Sequence, residues 1–148
     1  MSEEENAQIA NKIQLTITTP RGVKFEEPAD MVTLRAIDGV MGILPGHARV
    51  STILGDGILR ISNDGEDKLL AVFGGIAEID NDKIEIYSTI AQPPEEIDLD
   101  RAEEDRERAR KALEERPKDP DFDRARLMIR RSLVRIEIGK LEDSDSED

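Results

Sequence analysis

Apolar and polar residues change rhythm once along this chain, and the change divides it in two. In the first part Ile13, Leu15 and Ile17 alternate with Gln14, Thr16 and Thr18, the period-two pattern of a strand with one buried face. Thr19-Pro20-Arg21-Gly22 predicts a turn, because proline presets φ at its second position. Residues 23–25 return as a short strand and residues 31–35 form the next one. Then comes Gly39-Val40-Met41-Gly42-Ile43-Leu44-Pro45-Gly46-His47-Ala48. Its glycines and proline exclude a helix or a central strand and predict a bent, partly buried loop. Further strands are expected over 50–53, 58–61, 69–72, 76–79 and 83–87. Between them lie Gly55-Asp56-Gly57, the hairpin turns Asn63-Asp64-Gly65 and Asp80-Asn81-Asp82, and Gly74-Gly75, the last marking a bulge or a close backbone approach. Short strands at this spacing predict a β-sandwich or flattened barrel. Its expected core is Leu15, Ile17, Val32, Leu34, Leu54, Ile58, Leu70, Val72, Ile76, Ile84 and Ile86.

The rhythm becomes helical after Gln92-Pro93-Pro94. Asp98 is placed to cap a helix running to about residue 116. Pro117 ends it, Asp119-Pro120 restarts a second, and Gly139 suits the position just past that helix's end. So short a connection predicts an antiparallel helical hairpin. The first helix offers a thin apolar stripe of Leu99, Ala102, Ala109, Ala112 and Leu113. The second offers Phe122, Ala125, Ile129, Leu133 and Ile136, with Leu127 and Val134 to one side. With few large apolar groups to bury, the hairpin is marginal alone. The expected organisation is an N-terminal all-β sandwich of short strands over 13–95, then a C-terminal two-helix hairpin over 96–138. Acidic tails at 1–12 and 139–148 are expected to be disordered.

Charge narrows the function. The formal net charge of −13 makes nucleic acid and anionic lipid poor partners. There is no cysteine, so disulfides, thiol nucleophiles and Cys-based metal sites are excluded. No apolar run approaches the roughly 20 residues of a membrane span, and no basic-then-apolar leader opens the chain. A soluble, cytosolic protein is expected, its membrane association arising only through a partner. His47 is the only histidine; no nucleophile set, metal cluster or phosphate-cradling loop accompanies it. A structural or interface role fits it better than catalysis. Val40 and Met41, bracketed by glycines, read either as core or as a partner contact. Arg131 and Arg135 share one helical face, as do Arg101 and Arg108, and antiparallel pairing would bring Arg101 level with Arg135. Such a guanidinium cluster suits phosphate oxygens. The bland alternative is neutralisation by Asp98, Asp100, Glu104 and Asp105 as ordinary surface pairs, and spacing alone favours it.

Several segments together resemble the epsilon subunit of bacterial F-type ATP synthases. Gly42-Ile43-Leu44-Pro45-Gly46-His47-Ala48 is similar to the family's GILPGHAP loop, with Arg49 in place of its second proline. Residues 19–25 resemble its TPDGxxF opening, residues 73–79 its GGFxEV strand, and Ile97-Asp98-Leu99-Asp100-Arg101-Ala102 its IDxxRA motif. The resemblance implies a ten-stranded sandwich plus helical hairpin, and a non-catalytic rotor subunit needing no cofactor. The sandwich would bind the gamma subunit and the membrane c-ring on the cytoplasmic side of the membrane, peripherally and without inserting into lipid. Val40, Met41, Gly42, Pro45, Gly46 and His47 would form that interface; many relatives carry an acidic residue at the position of Val40. The hairpin would extend toward the alpha and beta catalytic subunits and inhibit ATP hydrolysis. ATP would be a regulatory ligand held by Asp98, Arg101, Arg108, Arg131 and Arg135, with Gln92 standing where nucleotide-binding relatives use glutamate.

Two other classes compete. One is a free-standing ligand-binding sandwich whose helices dimerise. The other is a small hydrolase, disfavoured by the missing nucleophile set.

Overall fold

The computed structural model describes residues 11–115 and 122–146. The expected helix stop at Pro117, the restart at Asp119-Pro120 and most of the first acidic tail lie outside the described residues. The strands are β1 (Ile13–Thr19), β2 (Gly22–Ala29), β3 (Met31–Ala36), β4 (Gly39–Ile43), β5 (His47–Ile53), β6 (Gly57–Asn63), β7 (Glu66–Phe73), β8 (Ile76–Asn81), β9 (Lys83–Tyr87) and β10 (Ile90–Gln92). A 3-10 turn, Pro94–Glu96, leads to helices α1 (Leu99–Glu115) and α2 (Phe122–Ser146). The chain forms two compact units that divide between Ala91 and Gln92.

The first unit is a sandwich of two five-stranded sheets, ordered β2-β1-β9-β8-β5 and β10-β7-β6-β3-β4. Alternation dictates its core. Leu15 and Ile17 pair in parallel register with Ile84 and Ile86 of β9, and all four are buried. Val32, Leu34, Ile43, Leu59, Ile61, Leu70 and Val72 face them from the other sheet's strands. Two expected core residues fall on the wrong phase. In β6 the inward positions are Gly57, Leu59 and Ile61, leaving Ile58 half-buried; in β8 they are Ala77 and Ile79, leaving Ile76 exposed. A one-residue shift of phase exchanges the faces of a strand, and two adjoining apolar residues do not reveal which of them points inward.

The glycine-rich stretch is mostly strand. Gly39–Ile43 pairs with β3 at the edge of its sheet, His47–Ile53 pairs with β8 at the edge of the other, and only Leu44-Pro45-Gly46 connects them. Edge strands tolerate glycine because only one side of the ladder is used. Gly46 has φ +86, a conformation that a side chain would strain. Its N–H donates to Asn81 O at 2.8 Å.

In the second unit Asp98 caps α1: its Oδ1 accepts from the Arg101 backbone N–H at 3.1 Å, as expected of an N-cap aspartate. Ala102 and Ala109 are buried, Leu99 and Leu113 half-buried, and Ala112 exposed. On α2 the buried residues are Ser132, Ile136 and Ile138, whereas Leu133 is exposed. The inward stripe runs through Ala125, Ile129, Ser132, Ile136 and Gly139, at spacings of three and four. Leu133 is one step off it. Gly139 lies inside α2, which continues to Ser146, and does not end the helix. Its hydrogen serves close packing: a Cβ there would stand 3.0 Å from Leu99 Cδ1.

Candidate functional site

Two groups of residues were expected to carry function, and each lies within one unit. In the sandwich, Val40 points outward and is 67 % exposed, while its neighbour Met41 is half-buried and packs on the core. They therefore do not act as one apolar tip; strand alternation separates them. Ile37, in the tight β3–β4 hairpin whose register pairs Ala36 with Gly39, is also exposed. Gly42 is exposed, Pro45 and His47 half-buried. The His47 ring nitrogen Nδ1 lies 2.7 Å from the Ala48 carbonyl oxygen, so as an Nδ1–H tautomer it donates to its own strand. That is a local structural role. Leu44, exposed beside Pro45, was not singled out by sequence.

In the second unit the arginines meet on one edge of the helix pair. Arg135 Nε donates to Gln92 Oε1 at 2.9 Å. Partial burial lowers the Arg135 pKa from its ordinary value; the positive charges of Arg131 and Arg101 lower it further, while Asp105 opposes them. Arg101, Arg131, Arg135 and Gln92 are thus brought together. Arg108 is exposed and stands 3.9 Å from Asp105. Asp98 is nearby in sequence, but one of its carboxylate oxygens is engaged in the helix cap. Asp105 is the member that sequence reasoning undervalued. Its position four residues after Arg101 on the same helix was the available signal. Among the described residues no group of three or more His, Cys, Asp or Glu is placed to hold a metal, and no helix is long and apolar enough to cross a membrane.

A family model described as "ATP synthase, Delta/Epsilon chain, beta-sandwich domain" matches residues 12–94, and one described as "ATP synthase, Delta/Epsilon chain, long alpha-helix domain" matches residues 95–140. The chain belongs to the ATP synthase delta/epsilon family. Proteins named ATP synthase epsilon chain are similar along nearly their whole length. The one from Bacillus cytotoxicus is 35 % identical, covering 86 % of this chain and 96 % of the relative. That from Symbiobacterium thermophilum is 38 % identical, covering 91 % and 98 %. Among solved structures, a chain of the Euglena gracilis mitochondrial ATP synthase, in its OSCP/F1/c-ring assembly, superposes with a TM-score of 0.67 at 28 % identity, covering 90 % of this chain and 81 % of that one. As an epsilon-type member of this family, the chain is a non-catalytic subunit of the synthase's central stalk. The two-domain match follows the same division into sandwich and helices that the hydrophobic rhythm predicts.

Proposed function

We propose that this epsilon-type chain couples the gamma subunit to the c-ring through its sandwich, on the cytoplasmic face of the membrane, and restrains ATP hydrolysis through its helices. The helices switch between a folded pair and a form extended toward the alpha and beta subunits. ATP is the ligand that holds the folded form. The observation that carries the ATP reading is the cluster of Arg101, Arg131 and Arg135, in which the charges of Arg131 and Arg101 disfavour that of the partly buried Arg135. A multiply charged phosphate relieves that repulsion, and guanidinium forks match its oxygens. Gln92 orients Arg135 as a neutral acceptor that leaves the cluster's positive charge intact.

The energetics suit a switch. A ligand that binds only the folded form stabilises it by RT ln(1 + [L]/Kd), about 2.7 kcal/mol at a hundredfold excess over Kd. That moves a near-balanced equilibrium about a hundredfold. The test is calorimetric titration of the full chain with ATP. Wild type should bind at or below millimolar ATP, and Arg135→Ala should weaken binding about tenfold or more, the loss of one charge-assisted contact, with the sandwich still folded. Absence of wild-type binding at millimolar ATP would reduce the arginines to a charged surface. In the assembled synthase, deletion from Asp98 onward should raise ATP hydrolysis while leaving assembly intact; unchanged hydrolysis would place any latency elsewhere.

A further inference from the structure

A carboxylate sits within the arginine edge of the helix pair. Arg101, Asp105 and Arg108 follow one another at spacings of four and three and share a face of α1. Gly139 of α2 lies against Leu99 of α1. With the end of one helix beside the start of the other, the two run antiparallel, and equal steps from that contact lie level. Six steps bring Asp105 level with Leu133, midway between Arg131 and Arg135. Asp105 is therefore centred on four arginines: Arg101 and Arg108 about one turn away on its own helix, Arg131 and Arg135 to either side of its level on the other. Its Oδ1 is 3.9 Å from Arg108 Nη1, and its side chain is 23 % exposed against 72 % for that of Arg108. The acid thus lies deeper in the pair than the cation it meets, unlike an ordinary surface ion pair. Of the charges acting on the partly buried Arg135, Arg131 and Arg101 disfavour its cation and Asp105 favours it. Neighbouring acids are otherwise engaged: Asp98 caps α1 and Glu107 binds Arg110. Nor does Asp105 serve the seam between the helices. Ser132, one residue from its level and fully buried, has no hydrogen-bond partner for its Oγ among the described residues.

We propose that Asp105 is a specificity-determining residue of this edge: an internal counter-ion that competes with phosphate for the arginines, so that only a ligand of high negative charge takes its place. A carboxylate among guanidiniums lowers the cost of holding them together without ligand, and for the same reason repels an arriving phosphate. A ligand gains only the difference. A nucleoside monophosphate brings too little charge to outcompete a carboxylate already in position. A triphosphate reaches several guanidinium forks at once. Repulsion built against the weaker competitor is a recognised source of specificity. Asp105 then has two effects of opposite sign: it steadies the ligand-free helix pair, and it raises the concentration of ligand needed to occupy the site. The inference rests on the ATP reading of the arginine cluster and assigns what sets the threshold of its response.

The experiment titrates full-length wild type, Asp105→Asn and Asp105→Glu with ATP, ADP and AMP by calorimetry. Amide hydrogen exchange of α1 and α2 is followed in the same proteins without ligand. Asp105→Asn should bind ATP about tenfold more tightly than wild type, one repulsive charge contact being removed. Its preference for ATP over AMP should narrow, because the weaker competitor gains most from losing its rival. Without ligand, its helical amides should exchange several-fold faster, the arginines having lost their counter-ion. Asp105→Glu, which keeps the charge, should stay close to wild type in affinity and in preference. A purely structural aspartate predicts faster exchange together with weaker ATP binding, and that result would overturn the inference. If wild type and Asp105→Asn bind ATP equally well, the inference falls while the ATP reading stands. If neither binds ATP, both fall together.

Discussion

The two units bury different kinds of side chain. The sandwich interior is isoleucine, leucine and valine: Ile13, Leu15, Ile17, Leu34, Ile43, Leu59, Ile61, Ile79, Ile84 and Ile86 are all essentially inaccessible. In the helix pair, Ala102, Ala109 and Ser132 are buried with Ile136 and Ile138, and a glycine faces Leu99. A large aliphatic side chain contributes about 1.5–3 kcal/mol on burial; an alanine contributes far less. The sandwich therefore holds itself together by burial, whereas the helices depend on close approach, capping and charge. One is held by large aliphatic side chains and the other by the close approach of small ones.

The largest expected effect tests that contrast directly. Ile86→Ala should cost the sandwich about 2–5 kcal/mol, whereas Ala109→Gly should cost about 1 kcal/mol and leave the sandwich's transition unmoved. The only tyrosine, Tyr87, reports the sandwich by fluorescence during urea unfolding, and the 222 nm dichroism reports the helices. Coincident shifts of both signals for both variants would break the comparison and make the chain one cooperative unit.

One substitution should have opposite signs in the two units. Gly75 has φ +116, and a Cβ there would collide with the Tyr87 carbonyl oxygen, a backbone atom. Gly75→Ala should destabilise the sandwich by about 2 kcal/mol or more. At Gly139 a Cβ would meet the half-buried Leu99 side chain and no backbone atom among its nearest neighbours, and that side chain can give by a few tenths of an ångström. The alanine gain in helix propensity, up to about 1 kcal/mol, should then win. Thermal melts of both variants check this. Destabilisation by Gly139→Ala would mean that the helices are packed as rigidly as the sheets.

A smaller effect depends on pH. Lys12 Nζ contacts Asn63 Oδ1 and Asp64 Oδ1 at 2.6 Å and Asp30 Oδ1 at 2.9 Å, joining the start of β1 to two turns. These bonds raise the Lys12 pKa, with Asp64 foremost and Asp30 next. The Asp64 backbone N–H, followed by Lys12, lowers that of Asp30. A lowered carboxylate pKa means stability that is present above about pH 4 and lost as pH falls through the folded-state value. The raised lysine value means stability present below about pH 10 and lost as pH rises through its folded value. Lys12→Gln should lower the melting midpoint at neutral pH and converge on wild type in acid. Parallel curves at every pH would show that the cluster contributes through shape and not through charge.

Much of this architecture was legible because the two hydrophobic periods differ so plainly. Strict alternation at Ile13, Leu15 and Ile17 located β1, and Asp98 announced its cap. Phase was harder. Ile58 and Ile76 each adjoin a second apolar residue, so the pattern fits either face, and only the neighbouring strand's register decides. Leu133 misled for the same reason on a helix, where the inward position went to Ser132. Gly139 read as a terminator because its other use, admitting Leu99, is visible only when both helices are present. The short β10 offers too few residues for a pattern. In the helices, the spacing of Arg101, Arg131 and Arg135 was readable, while the Gln92 bond to Arg135 depended on a fold that spacing does not specify.

The parallel pairing of β1 with β9 has a consequence for how the protein is made. The centre of one sheet is formed by strands roughly seventy residues apart, and such non-local contacts are reached late in folding. During synthesis, β1 leaves the ribosome with its apolar side chains and must wait without a neighbour on that side until Tyr87 has emerged. A nascent chain shorter than that has no closed sandwich, however many hairpins it has formed. The helices therefore enter solution only as the scaffold becomes able to close, and premature termination before β9 should yield an aggregation-prone fragment and not a smaller domain.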